Sequence, residues 1–547
     1  MSYIKNILST IIAANIAWGS GFAQVKSNDV AIKYANTITA ADLSKHLHIV
    51  ASDSLEGRET GKKGQKLAAD YLSKQFAAFG LDAPVVTSEG KSHYQKFNLE
   101  QKRWGEIYLS VHGKKKEFLQ DFYAFGNFNI PEVQTQDVMF VGYGIDSENY
   151  SDYHSISPTN HAVVIWGGEP LTAEGYSYIT NKREPSEWAN NWRKKVAVAR
   201  EHGARTCFVV VKPTNEEFFK TMISYKHYIE SPTLSIPSSE EVEKEGVFFI
   251  PPSLAAEILG TSEAKLAQIA QPVSVNPEKR GNKKIEGIAI PINEISFKAE
   301  KITELVPTEN VLGFVEGSDK KEEVIVVTAH YDHIGREGDK IFNGADDDGS
   351  GTVALLEMAQ AFAQAKKEGK GPRRSLLFMA VTGEEKGLLG SDYYTQHPIF
   401  PLKNTVANLN IDMIGRLDDA HKKDENYVYL IGSDKLSKEL HELSENVNKT
   451  YTKINLDYTY NDENDPNRYY YRSDHYNFAK NYIPVIFYFN GVHEDYHQHT
   501  DEVSKILFGK MEKITRLVFY TAWEIANRPE RIKLHVKPPA NEDGGKF

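Results

Sequence analysis

Four short apolar runs frame the C-terminal half of the chain: "EVIVVTA" (323–329), "SLLFMAVT" (375–382), "VANLNIDMI" (406–414) and "PVIFYF" (484–489). Each is too short for an ordinary helix and is bounded by turn residues, so each predicts a buried strand. Between and after them, apolar positions at helical spacing predict helices over Gly351–Ala365 and Lys510–Ala526. Strands alternating with amphipathic helices predict an α/β fold from about 296 to 530.

Near the N-terminus, Leu67, Ala68, Tyr71, Leu72 and Phe79 fall close to helical spacing and predict an amphipathic helix ending at Gly80. From about 118 to 290 the pattern changes. "VMFVGYGI" and "HAVVIWGGEP" read as short strands bounded by glycines, and "NWRKKVAVAREHGARTCFVVVKP" as helix, turn at Gly203, then strand. This block reads as an inserted β-rich domain without clustered ligand-type residues. The tail 531–547, with its polar "KPPANEDGGKF", reads as flexible.

Length agrees with that division: 547 residues exceed one ordinary core and predict two or three domains. A formal charge of −11 argues against nucleic acid as a partner, since phosphate binding needs a basic face. The first 23 residues, with Lys5, an apolar stretch from Ile7 to Trp18 and small residues before Gln24, read as a signal peptide. That stretch is short of the roughly 20 residues a membrane span needs, and the expectation is an exported protein with no span in the mature chain. A single cysteine, Cys207, allows no intramolecular disulfide, and its run "TCFVVV" predicts a buried, inert thiol. His46 and His48 read as structural or exposed.

What changes this picture is where the four strands end. The first ends in His330 and Asp332, followed by the acidic turn "NGADDDGSGT" with Asp346, Asp347 and Asp348. The second runs into "TGEEKG" with Glu384 and Glu385, the third carries Asp412, and the fourth leads into "GVHEDYHQHTDE" with His493, His497 and His499. In open α/β sheets, ligands gather at the C-terminal strand ends. Histidine and carboxylate without thiolate suit an open, catalytic zinc site; manganese or cobalt would also fit. Two cations about 3.5–4 Å apart need a bridging carboxylate. One aspartate of the acidic turn serves as that bridge, with His330 and Asp412 for one ion and His497 and Glu385 for the other. Glu384 is then left unligated, free to take a proton from a metal-bound water. Asp332 would orient the His330 ring through its other nitrogen, Asp348 could cap the following helix, and His333 is expected to stay outside the ligand set.

"AHYDH", "NGADDDGSGT", "TGEEKGLLGS", "NIDMIG" and "YHQHTD", in this order, resemble the M28 family of zinc peptidases. "ASDSLEGRETGKKGQKLAADYL" is similar to the segment preceding the catalytic part in exported bacterial members, and the 118–290 block resembles their inserted protease-associated (PA) domain. The resemblance implies an αβα sandwich with a mixed central sheet. It divides the chain into signal peptide (1–23), N-terminal part of the peptidase domain (24–117), PA-like insert (118–290), catalytic domain (291–530) and tail (531–547). It implies two zinc ions per chain, with His330 and Asp412 on one, Glu385 and His497 on the other, and Asp347 bridging. Glu384 becomes the general base, Tyr496 a hydrogen-bond donor to the tetrahedral oxyanion, and Arg472 a substrate-side arginine. A cis peptide after the bridging aspartate is also implied.

The activity expected is removal of N-terminal residues from peptide substrates. Arg472 keeps a dipeptidase or carboxypeptidase as the alternative, and a catalytically inactive binding module is the contrasting class. A glutaminyl cyclase shares the fold, but two full metal sites favour hydrolysis. The tyrosines of "RYYYRSD" are candidates for the pocket that takes the substrate side chain. Side-chain preference, native metal and oligomeric state stay open at this point.

Overall fold

The computed structural model describes residues 25–154, 156–238, 246–268 and 293–536. The expected signal peptide, and most of the expected tail, lie outside the described residues. The chain forms two compact units, one from residues up to Phe97 together with Thr308 onwards, the other from Asn98 to Pro307.

In the first unit the apolar runs become strands β1 (Lys320–His330), β2 (Arg374–Val381), β3 (Thr405–Ile411), β4 (Tyr427–Ile431), β5 (Asn455–Asp457) and β6 (Val485–Phe489). Their order is β5-β4-β6-β3-β1-β2, and Val311–Val315 adds an antiparallel strand beside β2. β1 pairs in parallel with both β2 and β3, and β3 with β6, whereas β4 runs antiparallel to β6. The sheet is therefore mixed, as the fold expectation required.

Successive side chains of a strand point to opposite faces, and both faces here are apolar. Ile325, Val327 and Ala329 join one core cluster, which includes helices α1 (Lys63–Phe79), α2 (Gly351–Lys367) and α3 (Phe508–Asn527). Val324 and Val326 join another on the opposite face, with Tyr394 and Phe478. This two-sided burial explains why the strands read as unbroken apolar runs. As expected, α1 ends at Gly80, which takes a left-handed conformation (φ 83°) that favours glycine. His46 is buried against Tyr71 and Glu357, and His48 is exposed.

The second unit has its own sheet. Residues 293–299 pair with Ile130–Phe140, which runs parallel to Ala162–Trp166, then Cys207–Val210, then Val247–Phe249, with Tyr123–Ala124 antiparallel at the edge. Two features differ from the expected 118–290 β-rich insert. Its parallel strands are linked through helices, Trp192–Glu201 and Asn215–Glu230, so the unit is α/β in character. Its boundaries also lie farther out, because they fall inside the long strands Tyr94–Val111 and Asn293–Val315, which run on past Asn98 and Pro307. Residues 269–290 of the expected insert lie outside the described residues. Cys207 is buried in its strand, as expected.

Candidate metal centre and active site

Register brings the site together. His330, the last residue of β1, is level with Val381 of β2, and Thr328 with Asn410 of β3. Glu384 and Glu385 follow Val381 by three and four residues, and Asp412 follows Asn410 by two, so all leave the sheet at one end. The loop after β6 returns His497 to the same place in a left-handed conformation (φ 58°).

Asp347 stands between two groups of ligands. Its Oδ1 lies 3.2 Å from His330 Nε2, and its Oδ2 lies 3.1 Å from His497 Nε2. On the His330 side, Asp412 Oδ1 is 3.7 Å and Glu384 Oε2 3.9 Å from the same Nε2. On the other side, His497 Nε2 is 3.2 Å from Glu385 Oε2. The Asp347–Asp348 peptide is cis.

Asp348 also lies close to His330 and Asp412, yet its oxygens are already engaged. Oδ1 accepts from the backbone N–H of Gly351 and Met413, and Oδ2 from that of His330. It holds the start of α2, as the sequence allowed, and leaves Asp347 as the shared carboxylate. Asp346 is turned away, to His493 Nε2 at 3.2 Å. His499 packs its ring toward Phe342. Asp501 accepts from the backbone N–H of Asp346 and Asp347 and so fixes the acidic turn.

His333 is a correction. Expected outside the ligand set, it is fully buried with Nδ1 2.8 Å from Glu385 Oε1 and 3.8 Å from Asp347 Oδ2. With those two carboxylates it forms a group able to hold a cation. Beyond His330 the chain leaves the sheet and follows residues 58–59 instead. The His333 N–H donates to the Arg58 carbonyl at 3.2 Å, and Glu59 pairs with His333 in an isolated parallel bridge. That pairing turns the imidazole inward.

The donor set fits a cation. Asp347 Oδ2, Glu385 Oε1 and both ring nitrogens of His333 are buried, and none takes an aligned hydrogen bond. Lone pairs that converge on one space rather than on donors are satisfied by metal ions, and this nitrogen–oxygen set suits zinc. The remaining lone pairs are held from behind. Ser473 Oγ donates to Asp412 Oδ2 at 2.7 Å, Thr60 Oγ1 to Asp332 Oδ2 at 2.6 Å, and the Glu384 N–H to Asp332 Oδ1 at 3.2 Å. His330 Nδ1 is 3.1 Å from the Asp332 carbonyl and 3.8 Å from its carboxylate, so Asp332 orients the ring chiefly through its backbone.

Electrostatics separates the two adjacent glutamates. Burial, reinforced by Glu385, Asp412 and Asp474, pushes the Glu384 carboxyl well up despite His330. Burial also opposes the charge on Glu385, but the imidazoles of His333 and His497 outweigh it and hold the group down at about 2. Burial lowers the His497 imidazolium, yet Asp347 and Glu385 raise it to about 10.

Beside the carboxylates is a pocket walled by Met413, Tyr469, Phe487, Phe489 and Val492, with Arg472 and Tyr496 also lining it. Arg472 Nη2 reaches the Tyr496 hydroxyl at 3.4 Å, and its guanidinium lies over the Tyr469 ring. Of the three consecutive tyrosines 469–471, Tyr469 is the one that lines the pocket.

Residues 310–522 match the family model described as peptidase family M28. In this segment the chain is similar to peptidase family M28. The chain is similar to Aminopeptidase YwaD of Bacillus subtilis, at 33% identity over 138 residues, 25% of this chain and 28% of that protein. It is also similar to a probable zinc metalloprotease of Pyrenophora tritici-repentis, at 37% identity over 126 residues, 21% of this chain and 24% of that one. The chain thus spans less than a third of the length of these two curated relatives. An aminopeptidase from Aneurinibacillus sp. strain AM-1 shares the fold, with a TM-score of 0.50 at 17% identity over 93% of this chain and 98% of that one.

Proposed function

We propose that this chain is an exported metallo-aminopeptidase that holds two zinc ions and removes N-terminal residues from peptides. The observation that carries the reading is Asp347, whose two oxygens face the imidazoles of two separate ligand groups. His330 and Asp412 would hold one ion, Glu385 and His497 the other, with His333 reaching the second from the buried side. Zinc bound there supplies Lewis acidity and makes water a nucleophile near neutral pH.

The chain's own residues supply the rest. Glu384, with its raised pKa, takes the proton of the attacking water and passes it to the leaving amine. The Tyr496 hydroxyl, beside Arg472, donates to the carbonyl oxygen as it becomes tetrahedral. Apolar walls at Met413, Phe487 and Phe489 accept an apolar side chain. The names of the two relatives, an aminopeptidase and a zinc metalloprotease, support the same reading. Export rests on the sequence of Met1–Ala23, and the likeness of the inserted block to a PA domain rests on its sequence pattern.

The test is hydrolysis of free and N-acetylated aminoacyl peptides, with and without chelator, beside Glu384→Gln. Chelator-sensitive cleavage of free-amine substrates, lost in the variant, is the expected result. Cleavage of blocked substrates from the C-terminal side would replace it with the carboxypeptidase reading that Arg472 permits. Two bound metals without turnover would leave a binding module.

A further inference from the structure

Arg58 lies outside the M28 segment and is fully buried. Its Nε donates to Tyr331 O (2.8 Å), its Nη1 to Val50 O (2.7 Å) and Asn343 O (2.6 Å), and its Nη2 to Gly344 O (3.0 Å). Tyr331 is the residue between His330 and Asp332, and Asn343 and Gly344 lead directly into the acidic turn of Asp347. One planar cation therefore fixes the spacing between the two stretches that carry a terminal ligand and the bridging carboxylate. Its own carbonyl accepts from His333 N–H, and two residues on, Thr60 holds Asp332.

The backbone here is unusual in the same place. Glu56, Gly57 and Arg58 are consecutive residues with positive φ (50°, 68° and 53°). A Cβ at Gly57 would meet Gly335 O at 2.1 Å and Phe342 O at 2.6 Å. Non-glycine residues in this region are strained, and such strain persists where surrounding contacts over-determine it, often beside functional sites. Burial lowers the Arg58 pKa, while Asp332, Asp347, Asp501 and Asp348 oppose that shift. The guanidinium is thus also a fixed positive charge beneath a carboxylate-rich centre.

We propose that the corner Arg58–Thr60 is a positioning element of the metal centre: Arg58 sets the distance between the His330–His333 stretch and the acidic turn, and Thr60 locks Asp332. This rests on the metal-centre reading above. The absence of any site ligand in residues 53–60 separates the role from ligation itself: Arg58 acts through carbonyls, and Thr60 through the Asp332 carboxylate, which also accepts from the Glu384 N–H.

The experiment measures zinc affinity of the purified chain by competition with a chromophoric chelator, for wild type, Arg58→Met, Arg58→Lys and Thr60→Val. Far-UV circular dichroism and melting of the metal-free proteins run alongside. Residues behind metal ligands typically change affinity by about 10–100-fold. Thr60→Val and Arg58→Met are expected to weaken zinc by at least about tenfold while the metal-free fold is kept, with Arg58→Lys intermediate. If Arg58→Met does not fold, Arg58→Lys and Thr60→Val carry the same readout. Folded variants that bind zinc within about twofold of wild type, well below that range, would overturn the inference while leaving the metal centre intact. A wild-type chain that binds no zinc would overturn the metal-centre reading itself, and the positioning role with it.

Discussion

Glu384 and Glu385 are neighbours in the chain but answer to different surroundings: Glu384 Oε2 is 3.9 Å from His330 Nε2, whereas Glu385 Oε1 is 2.8 Å from His333 Nδ1. The first is driven toward its protonated form by burial and nearby carboxylates, the second held ionised by two imidazoles. Titratable pairs pushed apart in this way mark acid/base and ligand roles. Glu384→Gln is therefore expected to lower kcat by about 10²–10⁴-fold with zinc content unchanged. Glu385→Gln is expected to lose zinc as well. Metal analysis beside steady-state kinetics separates the two.

Asp347→Asn keeps the side-chain size and removes the charge shared by both ligand groups. Its metal content after dialysis is expected to fall more than that of His497→Ala, which touches one group only. Equal losses in the two variants would deny Asp347 its bridging place.

Tyr496→Phe removes a hydroxyl 3.4 Å from Arg472 without emptying the pocket. Loss of one oxyanion donor typically costs about 10²–10³ in kcat, and KM should change little. A raised KM with normal kcat would instead make Tyr496 a ground-state contact.

Lys195 of the second unit is buried, its Nζ donating to the carbonyls of Trp166 and Gly168. Burial lowers its pKa from 10.5 to about 8, against the pull of Asp152 and Glu169. The folded chain therefore releases this proton before the unfolded chain does. Its destabilising effect is fully present below pH 8 and is relieved as pH rises from 8 toward 10.5, by at most about 3 kcal/mol. Relative to Lys195→Met, the wild-type melting temperature is expected to rise between pH 8 and 10. Parallel pH profiles for the two proteins would count against this assignment.

Zinc that binds only the folded chain stabilises it by about 2.7 kcal/mol at a hundredfold excess over Kd. Chelation is accordingly expected to lower the melting of the unit that carries the site. Calorimetry with and without zinc reads this directly, and an unchanged trace would argue against a tight metal centre.

The strands and the residues at their ends were legible in the sequence because the chemistry is concentrated there: His330, Glu384 and Glu385 follow an apolar run closely, Asp412 sits within one, and Asp347 and His497 lie in the polar stretches that come after. Arg58 was not legible. It acts on carbonyl oxygens, which every residue possesses, and its partners at 331, 343 and 344 are 273 to 286 positions away. His333 was misjudged because its direction is set by pairing with residues 58–59 rather than by the periodicity of β1. The extent of the second unit was hidden for a related reason, since its edges fall within continuous strands.

The unit that holds the metal centre is discontinuous, while the second unit is one uninterrupted stretch from Asn98 to Pro307. During synthesis the segment bearing Arg58 emerges early and must wait without its partners until residues 331–344 appear. The intervening unit has all of its own chain by then and can complete its core first, in keeping with domain-by-domain folding. Assembly of the ligand set comes last, when the loop carrying His497 and Asp501 arrives to close over a turn whose anchoring arginine was made more than four hundred residues before.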